Sequence, residues 1–91
     1  MRKLNLSKQS VKFLDKLIPK HFFQIDNKLE KLKENPLPED SVKLKGGVEK
    51  NFRVDVGEYR IIYRWDETIL YIELIGKRND GEVYKKFDRS H

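Results

Sequence analysis

The spacing of apolar residues changes several times along this chain, and each change marks an element. Lys3 to Leu6 alternates polar with apolar and ends at Ser7, the pattern of a short strand giving way to a helix N-cap. Val11, Leu14, Leu17 and Ile18 then fall at helical spacing until Pro19, which interrupts one helix and suits the first turn of another. In that second helix Phe22, Ile25, Leu29 and Leu32 form one apolar stripe opposite Lys28, Lys31 and Lys33, and Asn35-Pro36 stops it. The segment from Pro36 to Ser41 is turn-rich, and Lys43-Leu44-Lys45-Gly46-Gly47 reads as a basic loop. Runs rich in Val, Ile, Tyr and Trp follow at Asn51–Val56, Tyr59–Trp65 and Ile69–Ile75. The connections Gly57-Glu58 and Asp66-Glu67-Thr68 are short enough to demand antiparallel hairpins. The order strand, helix, helix, three-stranded antiparallel meander predicts an α+β domain with a helical hairpin packed on the sheet.

Length allows one domain over residues 1–91, with a small core that buries roughly 60 to 65% of the unfolded surface. Charged residues (38%) slightly outnumber hydrophobic ones (37%), yet ten aromatics and the periodic runs argue against disorder. The lack of cysteine removes disulfides, thiolate zinc sites and cysteine nucleophiles together. No signal-like apolar run opens the chain, and none approaches the ~20 residues of a membrane span, so a soluble cytoplasmic protein with no membrane association is expected. A net charge of +5 favours a polyanionic partner such as nucleic acid. Basic and acidic residues are mixed throughout, so placement must matter more than bulk charge.

Placement is uneven for arginine: Arg53, Arg60, Arg64, Arg78 and Arg89 all lie beyond residue 50, leaving only Arg2 before it. Strand parity puts Tyr59, Ile61, Tyr63 and Trp65 on one face, and Arg60, Ile62 and Arg64 on the other. An arginine between isoleucines either pairs with a carboxylate, Glu73 or Asp55, or points into a cleft that binds an anion. Gly76-Lys77-Arg78 is either solvated surface or part of such a cleft. Tyr84, followed by Lys85-Lys86, is either a packing residue or a platform on which a base stacks beside cations that hold the backbone. Lys43 and Lys45 are either solubilising charges or phosphate contacts. Neither His21 nor His91 has a partner at metal or triad spacing, and no Walker loop, zinc pattern or serine-histidine set is present.

The Lys43-Leu44-Lys45-Gly46 loop, Phe52-Arg53-Val54, the run Val56-Gly57-Glu58-Tyr59-Arg60-Ile61-Ile62-Tyr63, and Gly76-Lys77-Arg78 followed by Glu82-Val83-Tyr84 carry a resemblance over nearly the full length. The chain resembles the RelE/ParE superfamily of toxins from type II toxin-antitoxin systems, and looks closest to the RelE branch. That resemblance implies a ribosome-dependent endoribonuclease that cuts messenger RNA in the A site, the ribose 2′-hydroxyl attacking the adjacent phosphate, with no metal or other cofactor. It implies catalytic roles for Arg60 in stabilising charge on the reacting phosphate, for Arg78 in the same duty or in protonating the leaving oxygen, and for Tyr84 in stacking on and orienting the substrate. Lys43, Lys45, Arg53, Lys77 and Lys85 are expected to contact RNA. The implied partners are a cognate antitoxin, held in a hetero-oligomer, and messenger RNA on the ribosome with contacts to 16S ribosomal RNA.

One position departs from the family pattern. Members often carry two basic residues on the first meander strand, whereas here Arg53 is followed by Asp55, which either restrains Arg53 or itself accepts the 2′-hydroxyl proton. The alternative function is that of the ParE kind, a non-enzymatic inhibitor of DNA gyrase; the joint presence of Arg60, Arg78 and Tyr84 favours the nuclease. A plain nucleic-acid-binding module explains the charge but leaves the arginine placement without a cause.

Overall fold

A computed structural model describes residues 1–44 and 50–78. Five strands and two helices follow in the order β1 (Lys3–Leu6), α1 (Lys8–Asp15), α2 (Pro19–Glu34), β2 (Val42–Lys43), β3 (Phe52–Val56), β4 (Tyr59–Trp65) and β5 (Ile69–Lys77). They form one sheet in the order β1-β5-β4-β3-β2, in which β1 runs parallel to β5 and all other neighbours are antiparallel. The α+β architecture, the helical hairpin and the meander expected from the pattern are all present. Lys43, expected in a loop, instead pairs with Phe52 in β2, a strand too short for any alternation to reveal it.

Local chemistry explains the element boundaries. Ser7 caps α1, its hydroxyl oxygen accepting from the Ser10 amide at 3.1 Å and donating to the Glu73 carbonyl at 2.7 Å. Pro19 opens α2, where its missing N–H costs nothing. At the other end the Asn35 side chain accepts from the Leu37 amide at 3.1 Å and turns the chain away. Gly57 opens the β3–β4 hairpin with φ +57°, a conformation that suits glycine at the first position of a two-residue loop. A side chain there would also meet the Gln24 amide nitrogen at 2.6 Å.

The larger of two core clusters lies between the helices and one face of the sheet; the smaller, of Ile62 and Leu74 with Leu44 packed on it, lies on the other face. Leu14, Ile25, Leu29 and Leu32 pack on Val54, Val56, Tyr59, Ile61, Tyr63, Leu70, Ile72 and Ile75. The apolar stripe of α2 is thus buried, with Phe22 packed at its margin. The helix expected to run through Ile18 ends at Asp15; Val11 of α1 remains exposed, as does Ile18, which caps α2 instead. Burial pushes the Tyr63 phenol up to about 12, and its hydroxyl donates to the Pro36 carbonyl at 2.7 Å, fastening the end of α2 to the sheet.

A bulge between β4 and β5 positions the opposite face. Ile62 pairs with Leu74 but Tyr63 with Ile72, so Glu73 has no counterpart on β4 and the alternation of β5 slips by one residue there. Beyond Leu6 the strand β1 no longer covers this stretch of β5. The Gln9 side-chain amide takes its place, donating to the Ile75 carbonyl at 2.7 Å and accepting from the Ile75 amide at 3.0 Å. A glutamine side chain thereby acts as a one-residue strand.

Candidate functional site

Cross-strand register collects the candidate residues on the sheet face turned away from the helices. Arg53 and Asp55 alternate on β3 with the core residues Val54 and Val56, and Asp55 lies directly opposite Arg60 of β4. On its other side Arg60 faces Gly76 of β5, which adds no side chain to this surface. Arg78 follows β5, and its amide donates to the Glu58 carbonyl at 3.0 Å, tying it to the β3–β4 hairpin.

Asp55 is the centre of the arrangement. The Arg60 fork meets it side-on, Nε to Oδ1 at 2.7 Å and Nη2 to Oδ2 at 3.2 Å. Arg53 Nη1 stands 4.0 Å and Arg78 Nη1 3.9 Å from the same Oδ2, within ion-pair range but beyond hydrogen-bond length. Among the described residues, three guanidiniums therefore share one carboxylate. The Arg60 side chain is 16% exposed and that of Asp55 30%, so water screens this pair only in part.

The hydrogen bonds from Arg60 hold the Asp55 carboxyl below its ordinary value, against the opposing effect of burial; the charges of Arg60, Arg53 and Arg78 add to the lowering. A carboxylate stabilised in this way is a weak proton acceptor. Of the two roles the sequence left open for Asp55, the geometry favours restraint over proton transfer, and the arginine it restrains most firmly is Arg60. Chemically, a fork and two flanking cations around two oxygens match a phosphate as well as a carboxylate.

The second arginine of β4 has a different environment. Arg64 donates through Nε to Glu73 Oε1 at 2.7 Å, and its guanidinium carbon lies 3.9 Å from the centre of the Tyr71 ring. Of the two carboxylates considered for Arg60, Asp55 is the partner, while Glu73 on the bulge serves Arg64.

The expected RNA contacts divide between the two faces. Arg53 joins the cluster, whereas Lys77 pairs with Tyr59 and Lys43 with Phe52, residues packed on or in the helix-side core. Register thus directs both lysines away from the three arginines. Tyr84, Lys45 and Lys85 lie outside the described residues. The sequence reading missed a cleft that Lys43 shares with Lys50, Phe52 and Trp65, whose members come from separate elements with no common spacing. Among the described residues no group of three or more His, Asp or Glu is placed to hold a metal ion, and no helix is long and apolar enough to cross a membrane.

Comparison with known proteins gives a consistent set of matches. The family model described as ParE toxin of type II toxin-antitoxin system, parDE, matches residues 4–81. RelE1 of Methanocaldococcus jannaschii, a protein assigned as a toxin, is 30% identical over 79 residues, which cover 82% of this chain and 88% of that one. The archaeal RelE–RelB complex from Pyrococcus horikoshii contains a chain with a TM-score of 0.73 and 27% identity, the match covering 87% of this chain and 97% of that chain. The isolated RelE toxin of E. coli shares the fold, with a TM-score of 0.72 at 24% identity over 99% of this chain and 98% of that one.

Proposed function

The chain belongs to the RelE/ParE superfamily of toxins of type II toxin-antitoxin systems, and from that premise we propose that it is a ribosome-dependent endoribonuclease acting on messenger RNA in the A site. The observation that carries this reading is the set of three guanidiniums gathered around Asp55 on one sheet face.

In the proposed reaction the ribose 2′-oxygen gives up its proton and attacks the adjacent phosphorus, the bond to the 5′-oxygen breaks and that oxygen takes up a proton, so that a 2′,3′-cyclic phosphate and a 5′-hydroxyl result. The phosphate gains negative charge on the way to its pentavalent state. Arg60, already oriented by Asp55, and Arg78 stabilise that charge, each on the order of 10²- to 10³-fold in rate. Arg53 holds the neighbouring phosphate. Tyr84 stacks on and orients the substrate base, the role that the family resemblance assigns to it. Arginine does not give up its proton near neutrality and Asp55 is a weak base, so removal of the 2′-proton falls to a group other than these four.

A cognate antitoxin is the expected protein partner, since the Pyrococcus relative is seen in complex with RelB. The cationic face suits an acidic antitoxin segment that competes with RNA. The match to the ParE model favours a second reading, a gyrase inhibitor that needs no catalytic arginines. Ribosomes carrying a defined message separate the two. Cleavage that disappears when the nucleotide 5′ of the cut is replaced by its 2′-deoxy form supports the nuclease, and an intact message together with inhibited gyrase supercoiling supports the other.

A further inference from the structure

On the helix-side face, at the β2 edge of the sheet, a cleft of about 380 Å³ lies between Lys43, Lys50, Phe52 and Trp65. Its floor is aromatic. The Phe52 and Trp65 rings lie 4.9 Å apart, and Trp65 stacks on Tyr63 with centroids 5.8 Å apart and planes 28° from parallel. Tyr63 is fully buried and anchored through its hydroxyl to the Pro36 carbonyl, so the floor rests on the core. Phe52 and Trp65 themselves stay partly accessible, and the exposed Lys43 and Lys50 stand at the rim.

An apolar side chain in such a cleft would leave two ammonium groups without a counter-charge, and a simple anion would leave the rings unused. A nucleotide uses both, its base against the rings and its phosphates against the lysines. The position also fits a polymer. Phe52 and Arg53 are successive residues of β3 and point to opposite faces, so the cleft backs onto the arginine cluster across a single sheet. The edge between them is formed by β2, only two residues long, around which a single strand can pass.

We propose that this cleft is a second RNA subsite, in which one unstacked base rests on Phe52 and Trp65 while its flanking phosphates meet Lys43 and Lys50. The proposal rests on the ribonuclease reading above, and extends it from the scissile phosphate to a nucleotide beyond it. It accounts for Lys43 pointing away from Arg60, and predicts a footprint that spans both faces of the β2 edge.

Trp65 is the only tryptophan of the chain, so its emission reports on this cleft alone. The full-length protein is titrated with a single-stranded RNA hexamer, with an abasic oligomer of equal length and with inorganic polyphosphate, while anisotropy of a labelled hexamer follows binding. The expected result is quenching of Trp65 by the base-bearing RNA only. In Lys43→Gln/Lys50→Gln the plot of log affinity against log salt should become shallower by about 1.4, the loss of two single-strand phosphate contacts. Quenching should persist in Arg60→Ala/Arg78→Ala, which removes the proposed catalysis but not the cleft. Absent quenching, or an unchanged salt slope in the lysine variant, overturns the subsite even where the wild type cleaves messages. Quenching by poly-glutamate but not RNA also overturns it and assigns the cleft to an acidic protein segment. RNA quenching by a wild type that never cleaves on ribosomes leaves the subsite standing and removes the nuclease reading.

Discussion

Replacing Asp55 with Asn tests the organisation of the arginine cluster most searchingly, because it removes one charge and almost no volume. Asp55 accepts two hydrogen bonds from Arg60, at 2.7 and 3.2 Å, in a pair whose side chains are 30% and 16% exposed. Hydrogen bonds to charged groups contribute about 1.5–3 kcal/mol, and Asn keeps one acceptor, so the expected loss is about 1.5 kcal/mol. Arg53 and the more exposed Arg78 stand too far away to add much. For a domain of this size that loss corresponds to a fall in Tm of roughly 6–12 °C at pH 7. The folded-state carboxyl lies below its ordinary value, so its stabilisation is present above the unfolded value of about 3.9 and disappears as pH falls through the folded one. Thermal unfolding followed by circular dichroism should therefore show a wide gap between wild type and Asp55→Asn at pH 7 that narrows below about pH 4. Catalytically, the extra net positive charge should lower KM for RNA while the loss of a fixed Arg60 lowers kcat. Equal melting temperatures at pH 7, or a gap that stays constant down to pH 2, would refute the idea that Asp55 holds these arginines by charge.

Three further expectations follow from the same geometry. Gln9→Leu removes both side-chain bonds to Ile75, should cost about 1–3 kcal/mol, and should selectively speed hydrogen exchange at the Ile75 amide, which amide-resolved NMR detects. Gly57→Ala forces a side chain into φ +57° and should destabilise the domain by about 1 kcal/mol in urea unfolding; trimming Gln24 in the same chain should not restore it, because the backbone conformation is the cause. Arg60→Lys keeps the charge but loses the planar fork, so cleavage in a translation assay should fall well below wild type while the far-ultraviolet spectrum is unchanged.

Much of this molecule is visible in the alternation of its residues. Tyr59 to Trp65 alone separates the core face from the arginine face, because a strand has a period of two and β4 keeps it throughout. The partner of Arg60 was not visible in the same way. Choosing between Asp55 and Glu73 requires the register, and the bulge at Glu73 shifts that register by a residue that neither composition nor spacing announces. Gln9 looks like an ordinary polar residue of a helix until the end of β1 leaves Ile75 in need of a partner. The cleft at Trp65 joins residues of β2, β3 and β4 with Lys50, which only the closed sheet brings together. Lys77 and Lys43 show the reverse case, in which a basic residue beside a promising motif is turned by strand parity to the other face.

The most direct measurement of the central claim is primer extension on a defined message in a purified translation system, run with wild type, Arg60→Ala and Arg78→Ala, each with and without ribosomes. The expected result is cutting at A-site codons by the wild type only when ribosomes are present, and a loss of at least about 10²-fold in either variant while both keep native-like circular dichroism. An uncut message with the wild type, or full cutting by a folded Arg60→Ala, would contradict it.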